Sequence, residues 1–191
     1  MKEIKLIKGY VISAFNGPTE SITPKLMDDI MKPVERNKFV ILDAAFDIER
    51  MLDRIIAHHF FGDHEINKQK SIEFGNQILK SDWCSFSSKR KLMSHIINDQ
   101  SILQGQDKND YEGLLKKTMS YRNAFAHGEL STDGREVRLT FFEGSPKAKI
   151  LTDDYLSSIE TDLKQCFDIT FKVAIKSGAN KVIEHPKAND N

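Results

Sequence analysis

The clearest pattern in the chain is a stripe of apolar positions between residues 35 and 61. Ile41, Ala45, Ile48, Leu52, Ile55 and His59 recur at alternating spacings of four and three. That is the rhythm of one helix face, and Asp43, Asp47, Arg50 and Arg54 repeat it on another. The pattern predicts a long amphipathic helix that stops at Gly62-Asp63. Upstream, Thr23-Pro24 reads as an N-cap with proline in the first helical turn. Pro33 should break that short helix from the long one, because proline lacks the N–H that a helix interior needs. Residues 66–80 and about 85–98 read as two more helices, the second turning Leu92, Met93, Ile96 and Ile97 inward. Gly105 to Asn109 reads as a polar connection. A further helix starts at Asn109 or Asp110 and runs to His127, with Gly128 as a left-handed stop.

Beyond Gly128 the period changes. Ser131 to Gly134 reads as a turn, and Glu136 to Phe142 as a strand. Gly144-Ser145-Pro146 then reverses the chain so that Lys147 to Leu151 pairs back. Thr152 caps the last helix, with Asp153 and Asp154 where the helix dipole favours negative charge. Leu156, Ile159, Leu163, Cys166, Thr170 and Val173 mark its buried side, and Gly178 closes it. Residues 2–15 mix lysine with apolar side chains without a deciding period, and Asn16-Gly17-Pro18 is a turn. The expected fold is therefore mainly α: a bundle of five or six helices with one antiparallel hairpin, about 135–151, before the last helix. Residues 1–178 form one domain and 179–191 a polar, mobile tail. Strands and helices do not alternate and no glycine-rich phosphate loop occurs, which argues against Rossmann and P-loop folds.

Composition narrows the class. The 191 residues carry 28 Lys+Arg against 28 Asp+Glu, so the formal net charge is zero. That balance disfavours a polybasic nucleic-acid binder but leaves room for a local phosphate site. Two cysteines, Cys84 and Cys166, are too few for a disulfide scaffold and too far apart for a zinc knuckle. The first residues lack the apolar run of a secretory signal, and no stretch has the length of a membrane span. These features predict a reduced, cytoplasmic protein.

The segment with the most chemistry is Tyr121-Arg122-Asn123-Ala124-Phe125-Ala126-His127-Gly128. Tyr111, Leu115, Met119, Arg122 and Ala126 follow one another at helical spacing, so Arg122 takes a slot where the stripe calls for an apolar residue. A guanidinium keeps its charge, so burial there would demand a carboxylate, carbonyls or a phosphate. Asn123 and His127 are four apart and share a face. His127 stands in the last turn, where the negative end of the dipole favours a cation. An arginine, an amide and a titratable histidine at one helix end can grip a phosphodiester and move a proton. The plainer alternative is an Arg122 ion pair to another helix, with His127 capping carbonyls.

The run RNAFAHG resembles the Arg-x4–6-His signature of the HEPN superfamily of helical bundles. LDAAFDIERMLDRIIAHHFF, SFSSKRKLM and MSYRNAFAHG, in that order, are similar to the mannitol operon repressor branch of HEPN-like proteins. The resemblance covers about residues 35–130. It implies a metal-independent endoribonuclease of toxin or defence type that needs no cofactor. Arg122 and His127 would be the catalytic pair, and Asn123 the polar residue beside the arginine. It also implies a homodimer that brings two motifs together, RNA as partner, and an antitoxin or other protein partner. The repressor-like branch implies the rival reading, a non-catalytic regulatory or protein-interaction module.

Other residues invite weaker readings. Glu49, at the edge of the long helix's stripe, is a candidate to orient Arg122; a solvated ion pair with Arg50 is the plainer alternative. Lys89, Arg90 and Lys91 form a tight basic cluster suited to an RNA backbone, or simply a solvated helix face. His58, His59 and His64 lack the spacing of a metal set, so no metal site is expected. Trp83 with Phe86, and Tyr121 with Phe125, suit base stacking or a core. Neither cysteine has a histidine partner in sequence that would make it a nucleophile.

Overall fold

The computed structural model describes residues 24–63, 65–132 and 136–179. Expectations for residues 1–23, His64, the tail from 180 and the Asp133-Gly134 end of a turn lie outside those residues. Among the described residues the chain is mainly helical, with five α-helices and a small antiparallel sheet before the last of them. The helices are α1 (Pro24–Phe61), α2 (Lys68–Phe74), α3 (Phe86–Asp99), α4 (Gly105–His127) and α5 (Asp153–Lys176). The strands are β1 (Glu129–Thr132), β2 (Val137–Phe142) and β3 (Pro146–Ile150), in the order β1-β2-β3.

Three boundaries differ from the sequence reading, each for a physical reason. Pro33 does not break α1, which runs unbroken as 38 residues. Proline removes one hydrogen bond to the preceding turn, a local loss. Burial beyond it, at Val34 and then Ile41, Ala45, Ile48, Leu52 and Ile55, holds the helix together. Secondly, Gly105 to Asn109 is the first turn of α4 and not a connection. Gly105 enters at φ +55, and Gln106 donates to Asp110 at 2.7 Å, a bond across one turn. Thirdly, the single hairpin is a three-stranded sheet. Leu130 pairs with Leu139, and Ser131 and Thr132 belong to β1 instead of a turn.

The remaining punctuation behaves as its chemistry requires. Ser85 accepts from the Ser88 N–H at 3.3 Å and caps α3; Thr152 accepts from the Tyr155 N–H at 3.1 Å and caps α5. Gly62 and Gly178 follow α1 and α5 with φ of +62 and +84, the left-handed stop open to glycine. The segment after α2 widens into a π-turn, Gly75–Leu79.

The chain divides into two compact units, and α1, α4 and α5 contribute a segment to each. Among the described residues, the first unit comprises 24–47, 114–132 and 136–166. Its buried side chains include Ile41, Leu115, Phe125, Leu139, Leu156 and Leu163. In β2, Val137 and Leu139 are buried while Arg138 and Thr140 face outward, the alternation of a half-covered strand. Strand β3 is exposed throughout, and Pro146, Lys147 and Lys149 guard it as an edge. Among the described residues, the second unit comprises 48–63, 65–113 and 167–179. Its described buried side chains include Leu52, Ile55, Met93, Ile96, Ile97 and Val173. There the Tyr111 hydroxyl meets the Thr170 hydroxyl at 3.0 Å, so a buried polar pair satisfies itself. No described helix is long and apolar enough to cross a membrane.

Candidate functional site

The last turns of α4 carry Arg122, Asn123 and His127. Farther up the helix Tyr111, Leu114, Leu115 and Thr118 are buried, and at its C-terminal end burial passes to Ala124 and Phe125. Met119, Arg122 and Ala126 are only half-buried. Arg122 is therefore not sunk in the core as its place on the stripe suggested. The guanidinium carbon lies 5.7 Å from the centre of the Phe46 ring, and the Nη1 donates to Asn123 Oδ1 at 3.2 Å. Its Nε is buried and has no hydrogen-bond partner among the described residues. No described carboxylate pairs with Arg122. An aromatic face and an amide hold it in place, and neither neutralises its charge.

Asn123 and His127 are exposed on the face that their spacing of four gives them. Directly after them, Gly128 continues the helical bonding, donating to the Ala124 carbonyl at 2.8 Å. It does not take the left-handed conformation expected of a stop. Glycine serves a different purpose there. A Cβ at this position would run into the Ala124 carbonyl oxygen, lie 2.7 Å from Leu139 Cδ1 and 3.0 Å from the Thr140 carbonyl oxygen. Strand β2 thus packs against bare backbone at the end of α4, and that contact fixes the motif's helix end against the sheet.

Side chains around the motif tie α4 to the rest of its unit. Ser120 donates to Glu143 Oε1 at 2.8 Å, and Lys147 reaches Glu143 Oε2 at 2.6 Å. The Lys147 and Ser120 bonds hold the Glu143 carboxyl below its ordinary value. Tyr121 donates to Asp162 Oδ2 at 2.7 Å, and Lys117 reaches Oδ1 of the same carboxylate at 2.9 Å. Burial and then the Asp162 carboxylate push the Tyr121 phenol well above its usual range. Tyr121 is therefore a neutral hydrogen-bond donor anchoring the helix, not a free stacking platform. Phe125 and Phe86 are core residues, while Trp83 is 71% exposed.

The basic cluster separates into unlike parts. Lys89 is 3% exposed and turns inward. Its ammonium lies 2.8 Å from Glu49 Oε1, 2.8 Å from Asp53 Oδ1 and 3.1 Å from Asp53 Oδ2. Burial opposes the charge, but the two carboxylates outweigh it and raise the lysine above its ordinary value. Burial also pushes the Asp53 carboxyl up, with Lys89 offsetting part of the effect. Lys89 is accordingly the centre of an ion triad and offers no charge to a surface phosphate. Only Arg90 and Lys91 reach solvent. Glu49, expected to orient Arg122, spends its carboxylate on Lys89.

The histidines of α1 are likewise engaged. His58 Nε2 lies 2.9 Å from Asp63, and His59 Nδ1 shares a hydrogen bond with Gln100 at 3.1 Å. Among the described residues, no group of three or more His, Cys, Asp or Glu is placed to hold a metal. Both cysteines are buried and neither forms a disulfide, and burial pushes the Cys84 thiol up, away from the thiolate a nucleophile needs.

Phe46 and Asp53 are neighbours of the candidate residues that the sequence pattern did not single out. Phe46 had a signal: with Phe39 it places an aromatic pair seven residues apart on the polar side of α1, exposed by 41% and 70%. No protein-family model matches the chain, and no curated protein and no solved structure matches it.

Proposed function

We propose that the chain is a HEPN-like, RNA-directed protein that acts as a metal-independent endoribonuclease. The observation that carries this reading is the state of Arg122: half-exposed, without a carboxylate partner among the described residues, its Nη1 on Asn123, one turn from the exposed His127. A guanidinium held in place but not neutralised is ready for an anion with two oxygens, and a phosphodiester is such an anion.

In this mechanism a ribose 2′-OH attacks the adjacent phosphate. His127 moves the proton, Arg122 stabilises the charge that builds on the phosphorane, and Asn123 keeps the guanidinium in register. One such set supplies a single titratable group, while in-line transfer gains from an acid and a base together. A homodimer with two motifs across a two-fold axis supplies both. The exposed Phe39 and Phe46, the latter under Arg122, give that dimer an apolar contact beside the motif. Arg90 and Lys91 remain as backbone contacts.

The test is incubation of purified protein with single-stranded RNA and DNA in EDTA, with analysis of the product ends. RNA should be cut to 2′,3′-cyclic phosphate ends and DNA, without the hydroxyl nucleophile, left intact. A second reading is a non-catalytic regulatory module that acts through a protein partner. The Arg122–Phe46 stack favours it, since it gives the arginine a structural occupation without any substrate. Intact RNA together with a stable dimer would select it.

A further inference from the structure

In the second unit, the C-terminal half of α1 and the segment from α2 through the π-turn enclose a cleft of about 390 Å³. That is the size of a site for a small organic molecule. Two of its lining positions are small: Ala57 on α1 and Gly75 at the start of the π-turn. Gly75 is the instructive one. Its backbone is helical, φ −57 and ψ −46, so no unusual conformation calls for glycine. A Cβ there would meet nothing within 4 Å, so no close approach calls for it either. A glycine inside a helical segment costs about 1 kcal/mol relative to alanine. What it provides here is open space, beside a π-turn of the kind often found at functional sites.

The lining has two parts of different chemistry. Ala57, Ile72 and Leu79 make an apolar wall, and Ile72 is 49% exposed. Arg50, Arg54 and Lys80 bring cations to the same cleft. Arg54 is exposed and has no ion-pair partner among the described residues; Lys80 is held by the Asn76 side-chain carbonyl at 2.9 Å. Arg50 makes contacts of its own, so the exposed Arg54 and Lys80 are the cations the cleft offers. Of the remaining ionisable groups, Asp53 shares Lys89 with Glu49 and also attracts Lys80, and His58 is paired with Asp63.

We propose that this cleft binds a small organic anion. Its apolar body lies along Ala57, Ile72 and the open side of Gly75, and its acidic group sits at Arg54 and Lys80. Nothing in this site draws on the arginine–histidine motif, so it stands whether or not the chain cleaves RNA.

The test is a fluorescence titration of the full-length protein with anilinonaphthalene sulfonate, alongside its uncharged parent phenylnaphthylamine. The sulfonate should saturate one site per chain and bind more tightly than the neutral dye. The Arg54→Glu/Lys80→Glu double variant, changed only at the rim, should bind the sulfonate at least roughly tenfold more weakly, since a single charge-assisted hydrogen bond is worth about that factor. Gly75→Phe should fill the cleft and abolish saturable binding while the thermal melt holds. Should Gly75→Phe fail to fold, Gly75→Leu takes its place, and the rim variant decides independently. Absence of saturable binding overturns the proposal. So does a smaller loss in the rim variant, or unchanged binding in a folded, filled variant.

Discussion

Arg122 holds its guanidinium carbon 5.7 Å from the centre of the Phe46 ring, on an aromatic side chain that is itself 41% exposed. Such a stack is worth roughly 0.5–1 kcal/mol at an exposed site. It orients a cation without neutralising it, so the arginine's charge stays available to a ligand. Phe46→Leu is therefore expected to lower stability by about that amount and to lower RNA cleavage more than the stability loss accounts for. Arg122→Lys should damage cleavage nearly as much as Arg122→Ala, because lysine keeps the charge but loses the planar fork. Both arginine variants should melt within a few degrees of the parent. A protein that melts early with lysine at this position would mark Arg122 as a structural residue.

Lys89 makes the opposite prediction. Its ammonium is enclosed by Glu49 and Asp53, so Lys89→Ala leaves two carboxylates in a buried site without their cation. The expected loss is about 3 kcal/mol in urea unfolding, against less than about 0.5 kcal/mol for Lys91→Ala on the surface. If RNA affinity is measured on folded protein, Lys91→Ala should lower it and weaken its salt dependence, whereas Lys89→Ala should not.

Lys89 and Tyr121 together set a pH dependence. Lys89 is raised above its ordinary 10.5 and Tyr121 above its ordinary 10.0. As pH climbs past those values the unfolded chain releases its protons before the folded one does. Stability is therefore fully present below about pH 10 and falls as pH rises toward the folded values. Urea midpoints taken from neutral pH to pH ~11 should decline at the alkaline end, and Tyr121→Phe should make that decline shallower. A midpoint that rises with alkalinity would contradict both placements.

Gly128→Ala is expected to destabilise by about 1–3 kcal/mol, although alanine favours helices. The added methyl meets two backbone carbonyl oxygens, at Ala124 and Thr140, that cannot swing aside as a side chain does. Thermal melting checks this, and unchanged stability would mean that β2 does not lie against the end of α4.

The elements carried by burial were readable from the sequence. Ile41, Ala45, Ile48, Leu52 and Ile55 are each 0% exposed, so the period of α1 was a direct trace of its core. Strand β1 was not readable, because Glu129 to Thr132 alternates between exposed and half-buried and carries little apolar signal; pairing with β2 makes it a strand. Pro33 misled because a local loss was outweighed by burial farther along the helix. The inward turn of Lys89 had a trace: it follows Phe86 by three and precedes Met93 by four, the phase of α3's buried side. A basic run looks the same from sequence whether its charges are paired or free, and its partners, Glu49 and Asp53, stand on another helix. Arg122, Asn123 and His127 do gather at one helix end as their spacing predicts, but Phe46, which seats the arginine, comes from a distant part of the chain.

The most direct measurement is the rate of single-stranded RNA cleavage in EDTA by the parent protein and by His127→Ala, purified identically. His127 is exposed on the last turn of α4, so its removal should leave folding intact while taking away the proton-moving group. The expected result is metal-independent cleavage by the parent and a rate lower by ~10²–10⁴ in the variant. No cleavage by the parent, or equal rates in the two, would contradict the account.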